Sequence, residues 1–126
     1  MNEKLSTKKR TVTALIGNEI LLGAVKKVLQ KMGYQVRTDM ESCGKADFAI
    51  IGAYFLLLGV VNQVRAKNPS LPMVLIDTPH TALNGNGDFF YDVIDLDGSS
   101  EMDSMETIEK WFTEGRGKFL IGKKGD

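Results

Sequence analysis

The side chains that most often perform chemistry in proteins are scarce in this sequence. It has one cysteine, Cys43, and one histidine, His80, so neither an internal disulfide nor a multi-cysteine metal site can form. Three aspartates, Asp77, Asp95 and Asp97, could approach one another at one edge of a sheet, where their oxygens would suit a divalent cation. The last two lack the spacing of a calcium-binding loop. We therefore predict no metal site and no catalytic residue.

A phosphate-binding loop is also incomplete. Gly17-Asn18-Glu19 follows the first predicted strand, where nucleotide-binding proteins often place a glycine-rich turn. A dinucleotide-binding fingerprint needs three glycines, and a P-loop needs a lysine followed by serine or threonine. Neither pattern is present, so the sequence predicts no bound cofactor.

Length and composition describe one folded domain. The 126 residues include 16 basic and 16 acidic side chains, so the formal net charge is zero. A dedicated nucleic-acid-binding domain usually has a basic excess, so we expect no direct contact with nucleic acid. The uncharged run at residues 48–64 is short for a membrane helix and contains two glycines, so it fits a strand followed by a helix better. These features favour a cytoplasmic protein that does not bind membranes.

Charges are unevenly distributed along the chain despite the zero net charge. Residues 68–109 contain nine acidic side chains and no lysine or arginine. The pattern fits an acidic surface for a basic partner or for head-to-tail self-association, or simply a solvated acidic surface.

Buried strands and amphipathic helices alternate along the chain. The predicted strands are residues 11–16, 34–40, 46–51, 73–76 and a fifth within 89–96, and the predicted helices are 20–32, 54–67 and 104–114, the last with Ser104 as its possible N-cap. Only residues 41–45 separate the second strand from the third, too few for an ordinary helical crossover. Residues 77–88 are rich in turn residues, so we predict a loop there with at most a short fourth helix. The pattern predicts a three-layer αβα sandwich around a mainly parallel five-stranded sheet.

Three segments together resemble a response regulator receiver (CheY-like) domain, which has a flavodoxin-like fold with sheet order 2-1-3-4-5. They are the first strand and helix down to the MGYQV of residues 32–36, the DFAII of residues 47–51, and the VRAKNPSLPMVLI of residues 64–76. The resemblance is close over residues 11–77 and looser over residues 78–114.

The family transfers a phosphoryl group to an aspartate at the end of the third strand, with a divalent metal held by nearby acids. The resemblance implies that Gly52 stands at the nucleophile position and that Ile16 and Gly17 stand where the metal-binding acids would be. Asp77 stands at the hydroxyl position, with Thr78 one residue later, and no lysine lies near the end of the fifth strand. Because glycine cannot form an acyl phosphate and isoleucine cannot hold a metal, the sequence predicts a degenerate pseudo-receiver.

Two apolar segments are candidate interfaces. The first is the start of the 54–67 helix, where apolar residues occur on all sides: Tyr54, Phe55, Leu57, Leu58 and Val61. It either faces a partner or fills the gap left by the missing second helix, and both interpretations stay open. The second candidate is the apolar face of the last helix, with Trp111 and Phe112.

The prediction for the whole chain is a basic arm at residues 1–10, a receiver-like domain at 11–114 and a basic tail or linker at 115–126. Its predicted function is that of a non-enzymatic, phosphorylation-independent module in bacterial signalling or transcription control. Such a module would bind a protein partner or a second copy as a homodimer. The alternative is a small-molecule or metal-sensing domain that uses the emptied receiver site.

Overall fold

The computed structural model describes residues 10–52, 59–77, 90–96 and 100–122. Strands and helices alternate as the sequence predicts, and the elements in chain order are β1 (Arg10–Leu15), α1 (Glu19–Lys31), β2 (Tyr34–Arg37), a 3₁₀ helix (Met40–Lys45), β3 (Phe48–Gly52), α2 (Val60–Lys67), β4 (Met73–Asp77), β5 (Asp92–Asp95), α3 (Glu101–Thr113) and α4 (Gly117–Gly122). Among these helices none is both long and apolar enough to cross a membrane.

The five strands form one parallel sheet in the order β2-β1-β3-β4-β5. This confirms the predicted flavodoxin-like fold and its strand order. Val12 of β1 lies opposite Phe48 of β3, and Gly52 at the end of β3 lies opposite Ile76 of β4. The central strands β3 and β4 are buried, as their unbroken apolar sequences predict.

Helix α1 begins and ends at residues whose chemistry favours those positions. The Asn18 side chain accepts hydrogen bonds from the backbone N–H groups of Ile20 and Leu21, at 2.8 and 3.0 Å. Gly33 follows the helix with a φ of 95°, which a residue with a Cβ rarely adopts. The predicted stop at Gly33 is confirmed.

The apolar side chains form two clusters, one on each face of the sheet. The first lies between the sheet and helices α1 and α3, and it includes a chain of three rings, in which Phe48 is 5.7 Å from Tyr34 and 5.9 Å from Phe112 between centroids. The second lies on the opposite face, beneath α2 and the 3₁₀ helix, and includes Ile51, Val64 and Leu75.

A 3₁₀ helix of six residues replaces the second helix of the regular alternation. The Asp39 carboxylate caps it by accepting a hydrogen bond from the Ser42 N–H at 3.1 Å. The Ser42 hydroxyl lies 2.6 Å from the hydroxyl of Thr13, a buried residue of β1. The predicted truncation is confirmed, and the Thr13 hydroxyl of β1 is hydrogen-bonded to the short segment that covers it.

Cys43 is fully buried inside this 3₁₀ helix. Burial is the largest cause that raises the pKa of its thiol above the ordinary value, although a hydrogen bond with Thr13 acts in the opposite direction. The structural surroundings are those of an inert core thiol, because the thiolate is the reactive form.

We expect the Cys43 thiol to react with a disulfide reagent only as fast as the fold opens, and to react fully once the chain is unfolded in urea. Because burial raises the pKa of the folded thiol above that of the unfolded one, stability should fall as the pH rises above the ordinary thiol pKa of about 8.5 and towards the folded value. Thiol titration and urea unfolding across that range measure both effects. Rapid reaction of the native protein would contradict the buried position.

The last helix differs from the prediction in its start. Helix α3 begins at Glu101 because Ser100, not Ser104, is the N-cap, and the Ser100 hydroxyl accepts a hydrogen bond from the Asp103 N–H at 3.2 Å. Ser104 lies within the helix and is buried. The apolar face of α3, including Trp111 at 9% exposure and Phe112 at 2%, packs in the first core cluster.

Residues 115–122 continue the fold, although the sequence predicts a tail from residue 115 onwards. Gly117–Gly122 form helix α4, and Leu120 packs against the first core cluster. The close approach to α3 requires glycine, because a Cβ on Gly117 would lie 2.5 Å from Cε3 of Trp111. At the other end, β1 begins at Arg10, and residues 1–9 of the predicted arm lie outside the described residues.

Candidate functional site

The residues of the predicted degenerate site follow three neighbouring strands at one edge of the sheet. Ile16 comes directly after β1, Gly52 ends β3 and Asp77 ends β4. Because the strands are parallel and adjacent, their carboxyl ends meet at the edge where open α/β sheets bind ligands.

Ile16 and Gly52 lie against each other at this edge. A Cβ built on Gly52 would lie 3.4 Å from the Ile16 Cα, 3.5 Å from its Cγ2 and 3.7 Å from the Leu15 carbonyl oxygen. Ile16 is only 7% exposed and belongs to the first core cluster. Apolar atoms therefore occupy the space beside Gly52, and this geometry favours packed filler over an open pocket at that point.

The other residues of the predicted site are described by their position in the chain or in the sheet. Gly17 is exposed and directly follows Ile16. Asp77 pairs through its strand position with Asp95 of β5. Thr78 lies outside the described residues. The structure thus brings Ile16 and Gly52 together.

Acidic side chains do not converge on a point in the part of the chain that the structure describes. No group of three or more histidine, cysteine, aspartate or glutamate side chains there is arranged to hold a metal ion.

The structure places the residues of the two predicted interfaces differently. In the first, Tyr54, Phe55, Leu57 and Leu58 lie outside the described residues, and Val61 of α2 packs partly against the second core cluster. In the second, Trp111 and Phe112 are core residues, so these two side chains are not available to a partner at the surface.

The acidic stretch identified in the sequence is partly neutralised across the fold. Lys27 of α1 lies 2.8 Å from Glu101, and Lys31 lies 2.6 Å from Glu109. Gly23 permits this contact, because a Cβ there would lie 2.5 Å from the Glu101 carboxylate. Exposed pairs of this kind contribute little to stability, but they remove two acids from the free acidic surface.

A groove next to the 3₁₀ helix was not predicted from the sequence. It is open to solvent, has a volume of about 480 Å³ and is lined by Thr11, Arg37, Asp39, Glu41, Ser42, Gly44 and Lys45. Its lining residues come from β1, the end of β2 and the short crossover segment. The short spacing between the second and third strands is the sequence signal that could have indicated it.

No family model matches this sequence, and no curated protein matches it either. Solved structures do match its fold. The HP1043 orphan response regulator of H. pylori is 15% identical, with a TM-score of 0.57 over 79% of this chain and 93% of that chain. This chain has the fold of response regulator receiver domains. The expected receiver fold is confirmed.

Two further receiver structures support the same conclusion. A response regulator from Thermotoga maritima is 16% identical, with a TM-score of 0.56 over 84% of this chain and 99% of that chain. The receiver domain of the sensor histidine kinase PA1611 from Pseudomonas aeruginosa is 13% identical, with a TM-score of 0.54 and the same coverages. That receiver domain has a magnesium ion coordinated in its active-site cleft. Identities this low show the shared fold alone.

Proposed function

We propose that this chain is a phosphorylation-independent pseudo-receiver that regulates by binding another protein, in bacterial signalling or transcription control. The receiver fold supports a signalling role. The orphan response regulator among the similar structures is compatible with it. A cytoplasmic location follows from the same role.

One observation carries this proposal: the contact between Gly52 and Ile16. Phosphoryl transfer to a receiver needs a carboxylate nucleophile and acids that hold a metal beside it. Here the end of β3 has no side chain, and the residue after β1 fills the adjoining space with apolar atoms. A hydrated divalent cation is disfavoured in such a place, because it would lose water ligands and gain no carboxylate ligand from either side chain.

The alternative function, a small-molecule or metal sensor at the emptied site, needs free space where side chains were lost. Ile16 occupies the space next to Gly52, which weighs against a pocket at that point. We therefore place the regulatory activity on a protein surface and treat the chain as non-enzymatic.

We expect the chain to remain unmodified when it is incubated with acetyl phosphate and magnesium, because no carboxylate stands at the Gly52 position to attack the donor. Intact-protein mass spectrometry measures the result. A receiver domain with its aspartate, treated in the same mixture, is the positive control. A stoichiometric phosphoryl adduct that hydroxylamine removes would reveal an acyl phosphate elsewhere and would contradict the proposal.

The sensor alternative is tested on the same protein. A ligand that binds only the native state raises the thermal midpoint by mass action. Magnesium, calcium, mononucleotides and cyclic dinucleotides should each leave the midpoint unchanged. A rise that depends on concentration would instead favour the sensor and identify its ligand class.

A further inference from the structure

The two most exposed large apolar side chains of the described residues are Met102, at 77%, and Phe119, at 57%. Met102 lies among negative charges, and Phe119 lies among positive charges. Met102 is followed by Asp103 and shares its helix face with Glu106, whereas Phe119 is preceded by Lys118. Surfaces that a partner covers often have an exposed apolar side chain surrounded by charges of one sign.

The acidic surface consists of Met102, Asp103 and Glu106. Spacings of three and four residues put them together on one solvent-exposed face of α3. Their neighbours Glu101 and Glu109 already pair with lysines of α1. Asp103 and Glu106 make no ion pair with any other described residue. Within the described residues, two negative charges beside Met102 are therefore without a paired cation.

The basic surface consists of Arg116, Lys118 and Phe119. The Lys118 ammonium lies 5.4 Å from the centroid of the Phe119 ring. The Arg116 side chain is 59% exposed and its guanidinium lies 3.9 Å from the Asp92 carboxylate, so Lys118 supplies the unpaired positive charge. No carboxylate of the described residues pairs with Lys118. This surface presents positive charge around an aromatic side chain.

The basic surface is part of an ordered segment. The Tyr91 hydroxyl donates a hydrogen bond to the Arg116 carbonyl at 2.7 Å, and the Arg116 guanidinium lies 4.7 Å from the Tyr91 ring centroid. Gly117 packs directly on the Trp111 ring. Phe119 is therefore held in solvent by a docked segment, so a partner that covers it pays less ordering entropy than it would for a free tail.

The acidic and basic surfaces of one molecule do not contact each other. Met102 lies about 16 Å along the axis of α3 from its last residue, at a rise of about 1.5 Å per residue, and the basic surface follows that end. Both apolar side chains remain exposed in the monomer. Contact between them therefore requires a second molecule.

We propose that the acidic surface of one copy binds the basic surface of a second copy of this chain. Charge complementarity supports this occupant, because the chain itself provides an apolar side chain among cations and another among anions. The contact rests on the interaction role proposed above and gives it a partner. It pairs two different surfaces, so each copy offers one of each.

The size of the two surfaces predicts a weak association. A stable dimer usually buries about 800 Å² on each partner, more than one methionine or one phenylalanine with a few charges provides. The ion pairs would lie at the rim of the contact, where salt screens them. We expect reversible self-association of the full chain at high concentration, weakened by added salt.

Sedimentation velocity over a concentration series tests the contact. Lys118→Glu and Asp103→Lys should each weaken self-association by about tenfold or more, because each places like charges in contact. An equimolar mixture of the two variants should associate again, since Lys118 and Asp103 are then present on opposite molecules. Lys45→Glu makes the same charge change at a distant exposed lysine and should leave association unchanged.

A chain that stays monomeric at every concentration and at low salt would overturn the proposal. So would self-association that both charge variants and their mixture leave unaltered. Circular dichroism of the variants shows whether they remain folded. None of these outcomes bears on phosphorylation independence, which the acetyl phosphate experiment tests separately.

Discussion

Gly52→Asp is expected to destabilise the domain by about 3 kcal/mol at neutral pH and to leave it unable to accept a phosphoryl group. The new carboxylate would be buried against Ile16 and the Leu15 carbonyl oxygen, which lie 3.4–3.7 Å from the position of its Cβ. Neither the Ile16 side chain nor the Leu15 carbonyl oxygen can donate a hydrogen bond to it. Urea unfolding measures the stability, and mass spectrometry after acetyl phosphate treatment measures the modification.

The sign of the pH dependence follows from the buried charge. Burial favours the protonated carboxyl, so its pKa in the folded variant should be raised above the unfolded value. The variant should then recover stability relative to the original chain as the pH falls from 7 towards 5. Wild-type protein measured at the same pH values provides the reference.

Two further substitutions separate volume from charge at this position. Gly52→Ala adds only the Cβ, and we expect it to change stability by about 1 kcal/mol or less. Gly52→Asn has nearly the shape of aspartate without its charge, and it should show little of the pH dependence. A stable Gly52→Asp variant that acetyl phosphate labels would contradict the packing of Ile16 into this corner.

Trp111→Ala is expected to cost about 3–5 kcal/mol, a large part of the 5–15 kcal/mol that stabilises a typical domain. The indole packs in the first core cluster, lies 4.8 Å from the Phe112 ring centroid, and donates a hydrogen bond from Nε1 to the Asp92 carboxylate at 2.7 Å. The substitution removes both the buried indole and the hydrogen-bond donor of the Asp92 carboxylate. Urea unfolding measures the loss.

The same variant should release the carboxyl-terminal segment. Gly117 packs on the Trp111 ring, and Arg116 lies 3.9 Å from the carboxylate that the indole orients. Hydrogen exchange should therefore accelerate at residues 115–122 more than at β3. Met102→Ala on the same helix is the matched control, because its side chain is exposed, and it should change stability by about 0.5 kcal/mol or less. Equal losses from the two variants would contradict the buried position of Trp111.

The residues that stand at the receiver-site positions were readable from the sequence. The absence of an aspartate at residue 52 and the isoleucine at residue 16 follow directly from the order of the residues, once the resemblance aligns the strands. Whether their loss leaves a pocket did not follow. That depends on where the Ile16 side chain lies relative to β3, which is a contact between residues 36 positions apart.

The sequence by itself determined the type and order of the elements and the parallel sheet. Strand and helix periodicity, the Gly33 stop and the short spacing after β2 are local properties. All five predicted strands are present, and helices are present within 20–32, 54–67 and 104–114, whereas the predicted short fourth helix within 77–88 lies almost entirely outside the described residues. The truncated second helix followed from chain length alone, since residues 41–45 cannot form an ordinary crossover.

Only the tertiary structure decided which surfaces are free. The apolar face of α3 is readable from its periodicity, but that pattern is the same whether Trp111 and Phe112 meet the core or a partner. The docking of residues 115–122 depends on Gly117 fitting against Trp111, and the pairing of Glu101 with Lys27 joins residues 74 apart in the chain. Periodicity encodes an element because its signal is local, whereas contacts between distant segments exist only once the chain has folded.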